Sequence, residues 1–113
     1  MSDSPMRTHQ EIDERTLAMH RLVAEKIRDD PALFDKAKTT LARWRTTVCI
    51  RSQPYLCEWE RLLNLGIETS LAMAIEDSER ATQLRQSSPF AGILTHQDRF
   101  AFLKKWKIDH AAP

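Results

Sequence analysis

Residues 29–48 read DDPALFDKAKTTLARWRTTV and carry the clearest helix signals in the chain. Pro31 suits the first turn of a helix, and Asp30 can cap that helix from the position before it. Apolar residues then recur at steps of three and four, the spacing of a narrow seam against a second helix. These residues are Phe34, Ala37, Leu41, Trp44 and Val48. The stretch therefore predicts a helix that packs against a neighbour.

The residues before Pro31 predict the helix against which this one packs. Thr8 and Glu11 have the spacing of a capping box, so we expect a first helix to begin at Thr8 and to end at the Asp29-Asp30-Pro31 break. Its apolar stripe is formed by Ile12, Met19, Leu22, Val23 and Ile27. Because the connection is so short, the two helices should form an antiparallel hairpin.

Further helix boundaries are predicted after residue 53. Pro54 has the chemistry of a helix start, and Gly66 should end that helix by adopting a positive φ angle. Residues 67–75 should form a short apolar helix, and Asp77 or Ser78 should cap another that runs to about Gln86. The last helix should be capped by Thr95. Its predicted inner stripe consists of Phe100, Leu103 and Trp106.

The composition agrees with an all-α protein. The 113 residues include 42% apolar residues and just two glycines, whereas sandwiches and barrels need many glycine-dependent turns. We therefore predict a compact bundle of five to six helices that begins with the hairpin. Residues 8–108 should form a single domain, flanked by a flexible tail at residues 1–7 and a second tail at residues 109–113.

The sequence offers no catalytic or metal-binding motif. The two cysteines, Cys49 and Cys57, have neither a zinc-site spacing nor a disulfide framework around them. The sequence also lacks a secretory signal and a long apolar run, which favours a cytoplasmic protein without a membrane span. We therefore expect a protein that is not an enzyme and that has no cofactor, no metal and no small-molecule substrate.

Charge is balanced overall but unevenly distributed. The net charge is +1, yet residues 36–51 carry five basic residues and no acid, while residues 58–79 carry six acids and one arginine. Such blocks usually pair with each other or form solvated faces. A DNA-binding transcriptional regulator, which could also repress its own operon, is the alternative function, because a basic stripe could neutralise phosphates. Its candidate contacts are Arg43, Arg45, Arg51, Lys104 and Lys105.

One segment resembles a known pattern. Residues 77–95 read DSERATQLRQSSPFAGILT, and residues 17–44 contain HRLVAEK and DPALFDKAKTTLARW. Both resemble a family of small, uncharacterised bacterial proteins that look like antitoxins of two-gene toxin-antitoxin modules. The resemblance implies a protein that binds and neutralises a cognate toxin by occluding its active surface. It directs attention to Arg80, Arg85, Gln86, Ser88, Pro89 and Phe90 as partner-binding residues.

Two interpretations of these residues remain open. An exposed arginine pair beside a rigid Pro-Phe turn could anchor a protein partner. Alternatively, Phe90 and Leu84 fill the core while Arg85 bonds a carbonyl at a helix end. The acidic residues Glu76, Asp77 and Glu79 could meet a basic toxin cleft. Clustered carboxylates could also act as acid and base or hold a metal, but their position at a helix start explains them better as capping and dipole residues.

Overall fold

The computed structural model describes residues 5–47 and 53–110, and within these ranges the chain forms six α-helices, one 3-10 turn and no strand. The helices are α1 (Pro5–Asp29), α2 (Ala32–Thr47), α3 (Gln53–Leu65), α4 (Ile67–Ala74), α5 (Glu79–Arg85) and α6 (His96–Asp109). The 3-10 turn spans Pro89–Gly92 and joins α5 to α6. The predicted all-α helical bundle is therefore confirmed.

The first helix begins earlier than the capping box predicts. Helix α1 starts at Pro5, so Thr8 lies inside the helix and is not its N-cap. Proline at the start is favourable because the first residues of a helix have no intrahelical acceptor for their N–H groups. The predicted N-terminal tail thus overlaps the first residues of α1, while residues 1–4 lie outside the described part of the chain.

The connection between α1 and α2 forms as the sequence predicts. Only Asp30 and Pro31 separate the two helices, and Asp30 Oδ1 accepts a hydrogen bond of 3.2 Å from the Ala32 N–H. The predicted seam of α2 buries Phe34, Ala37 and Leu41. Trp44 is half-buried against the same core, and Val48, Cys49 and Arg51 lie outside the described residues.

The core gathers side chains from α1 to α5 and from the 3-10 turn. Its largest fully buried members are Trp59 of α3 and Phe90 of the turn. The two rings meet edge to face with centroids 5.5 Å apart, and Phe34 of α2 stacks 6.4 Å from Phe90. The turn therefore fills the centre of the bundle with an aromatic side chain, which fixes the position of the segment around it.

Gly66 separates α3 from α4 with the predicted positive φ angle. Its φ of 125° and ψ of 173° lie in a region that side chains with a Cβ rarely adopt. The Ser70 hydroxyl lies 2.8 Å from both the Leu62 and the Gly66 carbonyl oxygens. The Ser70 side chain, itself fully buried, thus ties the start of α4 to the end of α3.

Local capping chemistry also sets the last two helices. The hydroxyl of Ser78 accepts from the Ala81 N–H at 3.1 Å, and that of Thr95 accepts from the Asp98 N–H at 3.0 Å. The predicted inner stripe of α6 is wrong at Phe100, which is 72% exposed, whereas Leu103 and Trp106 are half-buried. Phe102 packs against the core instead, and residues two apart on a helix point in nearly opposite directions.

None of the helices in the described ranges is long and apolar enough to cross a membrane.

Candidate functional site

The segment of residues 77–95 is tied to α1 by a buried histidine. His20 Nδ1 lies 2.8 Å from the Thr16 carbonyl oxygen, and His20 Nε2 lies 2.8 Å from the Ser88 hydroxyl. A carbonyl oxygen can only accept, so Nδ1 carries the proton and Nε2 accepts from Ser88. The Ser88 oxygen in turn accepts from the Phe90 N–H at 3.1 Å. This chain of hydrogen bonds positions the turn that holds Phe90 in the core.

Burial controls the protonation of His20. The side chain is 2% exposed, and this desolvation lowers its pKa from 6.5 to about 4, although the bond to Thr16 opposes the shift and Arg85 adds to it. A hydroxyl next to an imidazole can serve as a nucleophile with its base. Here both groups are buried and the imidazole is a weak base at neutral pH, so the pair is a structural link.

Arg85 is buried and caps a helix. Its Nη1 donates to the Ala74 carbonyl at 3.0 Å and to the Glu76 carbonyl at 2.8 Å, and its Nη2 donates to the Thr82 hydroxyl at 3.2 Å. Burial lowers the pKa of Arg85, whereas the nearby Asp77 and Asp13 carboxylates oppose that shift. The positive charge therefore sits at the C-terminal end of α4, where helix carbonyls carry partial negative charge.

Trp59 contacts two residues of the segment 77–95 and holds them in place. Its indole N–H donates to the Leu84 carbonyl oxygen at 2.8 Å, while its ring packs on Phe90. Leu84 is itself buried in the core. Phe90 and Leu84 therefore fill the core while Arg85 bonds a helix-end carbonyl, as the structural interpretation of this motif predicts.

The predicted partner-binding residues divide into two groups. Arg85, Ser88, Pro89 and Phe90 are buried, so the expected exposed arginine pair does not form. Arg85 is held inside because the end of α4 supplies its acceptors. The remaining predicted residues lie at the surface, where their role in partner binding stays a prediction. They are Arg80, Gln86, Glu76, Asp77 and Glu79.

Surface ion pairs neutralise some of the carboxylates of the acidic block, residues 58–79. The hydrogen bonds from Arg61 hold the pKa of Glu58 below its usual value, and Arg80 contributes from the same side. Arg28 lies 3.6 Å from Glu68. No ion pair within the described ranges joins this block to the basic residues of α2. Those ranges also contain no group of three or more side chains able to hold a metal.

The predicted nucleic-acid contacts fall on two helices. Arg43 is exposed and Arg45 half-buried on α2, while Lys104 and Lys105 are exposed on α6. Lys105 forms a 2.8 Å ion pair with Asp109 one turn later. Arg51 lies outside the described residues.

A peripheral surface stands apart from the core. We define the α1–α6 flank as residues 10–18 of α1 and His96–Asp109 of α6, none of which is buried. It carries three of the five exposed large apolar side chains within the described part of the chain. They are Ile12 at 43%, Phe100 at 72% and Ile108 at 67% exposure.

Two cavities open along this flank. One, of about 630 Å³, lies between the two helices and is lined by Arg15, Leu103 and Trp106 among others. The other, of about 400 Å³, lies where the flank meets α5 and the 3-10 turn. Its walls carry three arginine side chains: Arg15 of α1, Arg85 of α5 and Arg99 of α6.

Sequence patterns alone did not single out His20 as a candidate residue. A usable signal exists, because His20 lies three positions before Val23 and seven before Ile27, on the apolar face of α1. That position predicts burial. It does not predict Ser88, which lies 68 residues away and reaches His20 only through the tertiary fold.

Comparison with known proteins gives no match: no family model, no curated protein and no solved structure is detectably similar to this chain.

Proposed function

We propose that this chain is an antitoxin-like protein that binds a toxin and neutralises it by covering the toxin's active surface. The observation that supports this proposal most directly is the α1–α6 flank, where Phe100 and Ile108 are exposed on a helix without a buried residue. Exposed apolar patches rimmed by polar groups are typical of protein-binding surfaces. The resemblance in residues 77–95 supplies the class of partner.

Phe100 and Ile108 lie on one side of α6. They are eight residues apart, and Lys104 lies midway between them. The three side chains therefore follow one another at intervals of a little more than one helical turn. Anchor side chains on one side of a helix, separated by whole turns, are the means by which a helix enters an apolar groove of a partner. Because Lys104 and Lys107 of α6 are exposed and form no ion pair within the described residues, the rim of such a groove should be acidic.

The exposed charges near α5 supply a second, electrostatic contact in this proposal. Glu76, Asp77, Glu79 and Arg80 are exposed beside one another at the start of α5. Charged rim residues act mainly on the rate of association and on orientation. The proposal thus assigns affinity to the apolar flank, assigns orientation to these charges, and requires no catalytic residue.

Co-expression with the protein encoded by the adjacent gene tests the proposal. We expect the two proteins to purify as one complex, and toxicity of the neighbour to be relieved. The double variant Phe100→Ser with Ile108→Ser should lose the complex. The matched control is Tyr55→Ser with Leu65→Ser, which removes two other exposed apolar side chains and should retain it. Independent elution of the two wild-type proteins would contradict the proposal.

A DNA-binding regulator is the second candidate, favoured by the basic residues of α2. Lys36, Lys38 and Arg43 are exposed, and within the described ranges none of them forms an ion pair. If this function holds, affinity for operator DNA should collapse between low and moderate salt. It should also fade in the variant Arg43→Ala with Arg45→Ala. DNA affinity that is insensitive to both changes would exclude this candidate.

A further inference from the structure

The cavity of about 400 Å³ at the junction of α1, α5 and α6 has an unusual lining. Three arginines from three different helices line it: Arg15, Arg85 and Arg99. Asp13 is the one acidic residue that lines it, so the lining carries a net positive charge. Guanidinium groups bind the oxygens of carboxylates and phosphates through paired, charge-assisted hydrogen bonds.

The arginines retain donors for such a group. Within the described residues, no ion pair involves any of the three. The acceptors of Arg85 are two backbone carbonyls and the Thr82 hydroxyl, all neutral. Arg99 Nη2 has a weak acceptor, the Met19 sulfur at 3.9 Å.

The surroundings of the cavity favour an anion over a cation. His20 lines it but is neutral, because burial lowers its pKa to about 4 and both ring nitrogens are already hydrogen-bonded. Thr16, Thr82 and Gln86 add neutral polar groups to the walls. Arg85 is almost completely buried and forms no ion pair in the described chain, while the carboxylates of Asp77, Asp13 and Glu76 stabilise its charge from a longer distance. An anion in the cavity would add an opposite charge at closer range.

We propose that this cavity is a binding site for an anionic group, a phosphate or a carboxylate, held by Arg15, Arg85 and Arg99. The anion can come from a free small molecule or from an acidic side chain of a bound protein, because both present the same oxygens. The proposal does not depend on the antitoxin-like function, since it concerns the isolated chain. In this site Arg85 is the pre-positioned group, while the half-buried Arg15 and Arg99 close over the anion.

Calorimetric titration of the isolated chain tests the site, with inorganic phosphate, pyrophosphate and citrate as probes at neutral pH and low salt. We expect saturable binding of at least one probe with a Kd between about 10 µM and 1 mM. The variant Arg15→Gln with Arg99→Gln should raise the Kd about tenfold to 100-fold, because each charged hydrogen bond that is lost weakens binding. Absence of saturable binding for all three probes up to about 10 mM would overturn the proposal.

A matched control separates a site from general electrostatics. The variant Arg28→Gln with Arg61→Gln removes the same charge from exposed positions of α1 and α3 that do not line the cavity. It should bind the probe as the wild type does. Equal weakening by the two double variants would also overturn the proposal. Circular dichroism of each variant confirms that the helices are retained.

A competition experiment identifies the source of the anion, once the complex with the partner protein has been purified. Displacement of pyrophosphate by the partner protein identifies an acidic side chain of that protein as the natural occupant. Simultaneous binding of both identifies a free anion. Failure to obtain a partner complex would count against the antitoxin-like function, and the titration of the isolated chain would still decide the anion site.

Discussion

His20 Nε2 accepts a hydrogen bond from the Ser88 hydroxyl across a distance of 2.8 Å, and this bond joins α1 to the turn that places Phe90 in the core. The two residues are 68 positions apart in the sequence. In this direction the bond requires a neutral imidazole, because Nδ1 already donates to the Thr16 carbonyl. Protonation of Nε2 would reverse the bond: Nε2 and the Phe90 N–H would both donate to the Ser88 oxygen, and the Ser88 O–H would lose His20 as its acceptor.

The first prediction concerns pH. The folded chain holds the pKa of His20 at about 4, below its usual value of 6.5, so between these values the unfolded chain binds the proton more readily. The stability contributed by neutral His20 is therefore present above pH 6.5 and is lost as the pH falls toward 4. We expect His20 to lower the free energy of unfolding by about 2 kcal/mol between pH 7 and pH 4.5.

Urea denaturation of the wild type and of His20→Gln at the two pH values measures this effect. Carboxylates titrate in both proteins, so the difference between the two pH responses isolates His20. The control His96→Gln changes an exposed histidine and should keep the wild-type pH response. Identical pH responses for the wild type and His20→Gln would refute the assignment.

The second prediction concerns Ser88. Ser88→Ala removes the donor to His20 and the acceptor for the Phe90 N–H, leaving buried polar groups without partners. The free energy of unfolding should fall by about 1–3 kcal/mol at neutral pH. Ser87→Ala, at the half-buried neighbouring position, should change it by less than about 0.5 kcal/mol. A double-mutant cycle with His20→Gln should be non-additive; strict additivity would mean that the two side chains are not coupled.

The third prediction compares two phenylalanines. Phe90 is fully buried between Trp59 and Phe34, whereas Phe100 is 72% exposed on α6. Phe90→Ala should lower the free energy of unfolding by about 3–5 kcal/mol because it leaves a cavity in the core. Phe100→Ala should lower it by less than about 0.5 kcal/mol. Thermal and urea unfolding of both variants gives the comparison, and a large loss in Phe100→Ala would place α6 in the core.

The fourth prediction uses the two glycines as a matched pair. Gly66 has a φ of 125°, and Gly92 has no positive φ; neither would bring an added Cβ within 4 Å of another atom. Gly66→Ala should therefore lower the free energy of unfolding by about 1–3 kcal/mol through backbone strain alone. Gly92→Ala should leave it unchanged or raise it by up to about 1 kcal/mol. Equal changes in the free energy of unfolding for the two substitutions would show that backbone strain at Gly66 is not the cause.

Local chemistry was readable from the sequence, and tertiary pairing was not. Asp30, Ser78 and Thr95 cap their helices as predicted, and Gly66 has the expected φ, because each acts on groups within four residues. The start of α1 was misjudged because a helix can continue through a capping-box pattern, as α1 does at Thr8. Local signals favour such boundaries without deciding them.

The candidate site was less predictable because its members come from distant parts of the chain. Two roles were open for Arg85, and the choice between them depends on Ala74 and Glu76, whose carbonyls only the folded chain brings within reach. The apolar pattern of α6 suited more than one face. Because Phe102 packs against the core, Phe100 points outward. The sequence of α6 alone cannot predict this choice, since it depends on the side chains of the helices that α6 packs against.

Helix α6 adds no fully buried side chain to the bundle. Substitutions along its outer face should therefore change the folding equilibrium very little. Under the proposed partner-binding function, the outer residues of α6 can be exchanged to alter partner specificity while the aromatic centre around Trp59 and Phe90 stays intact.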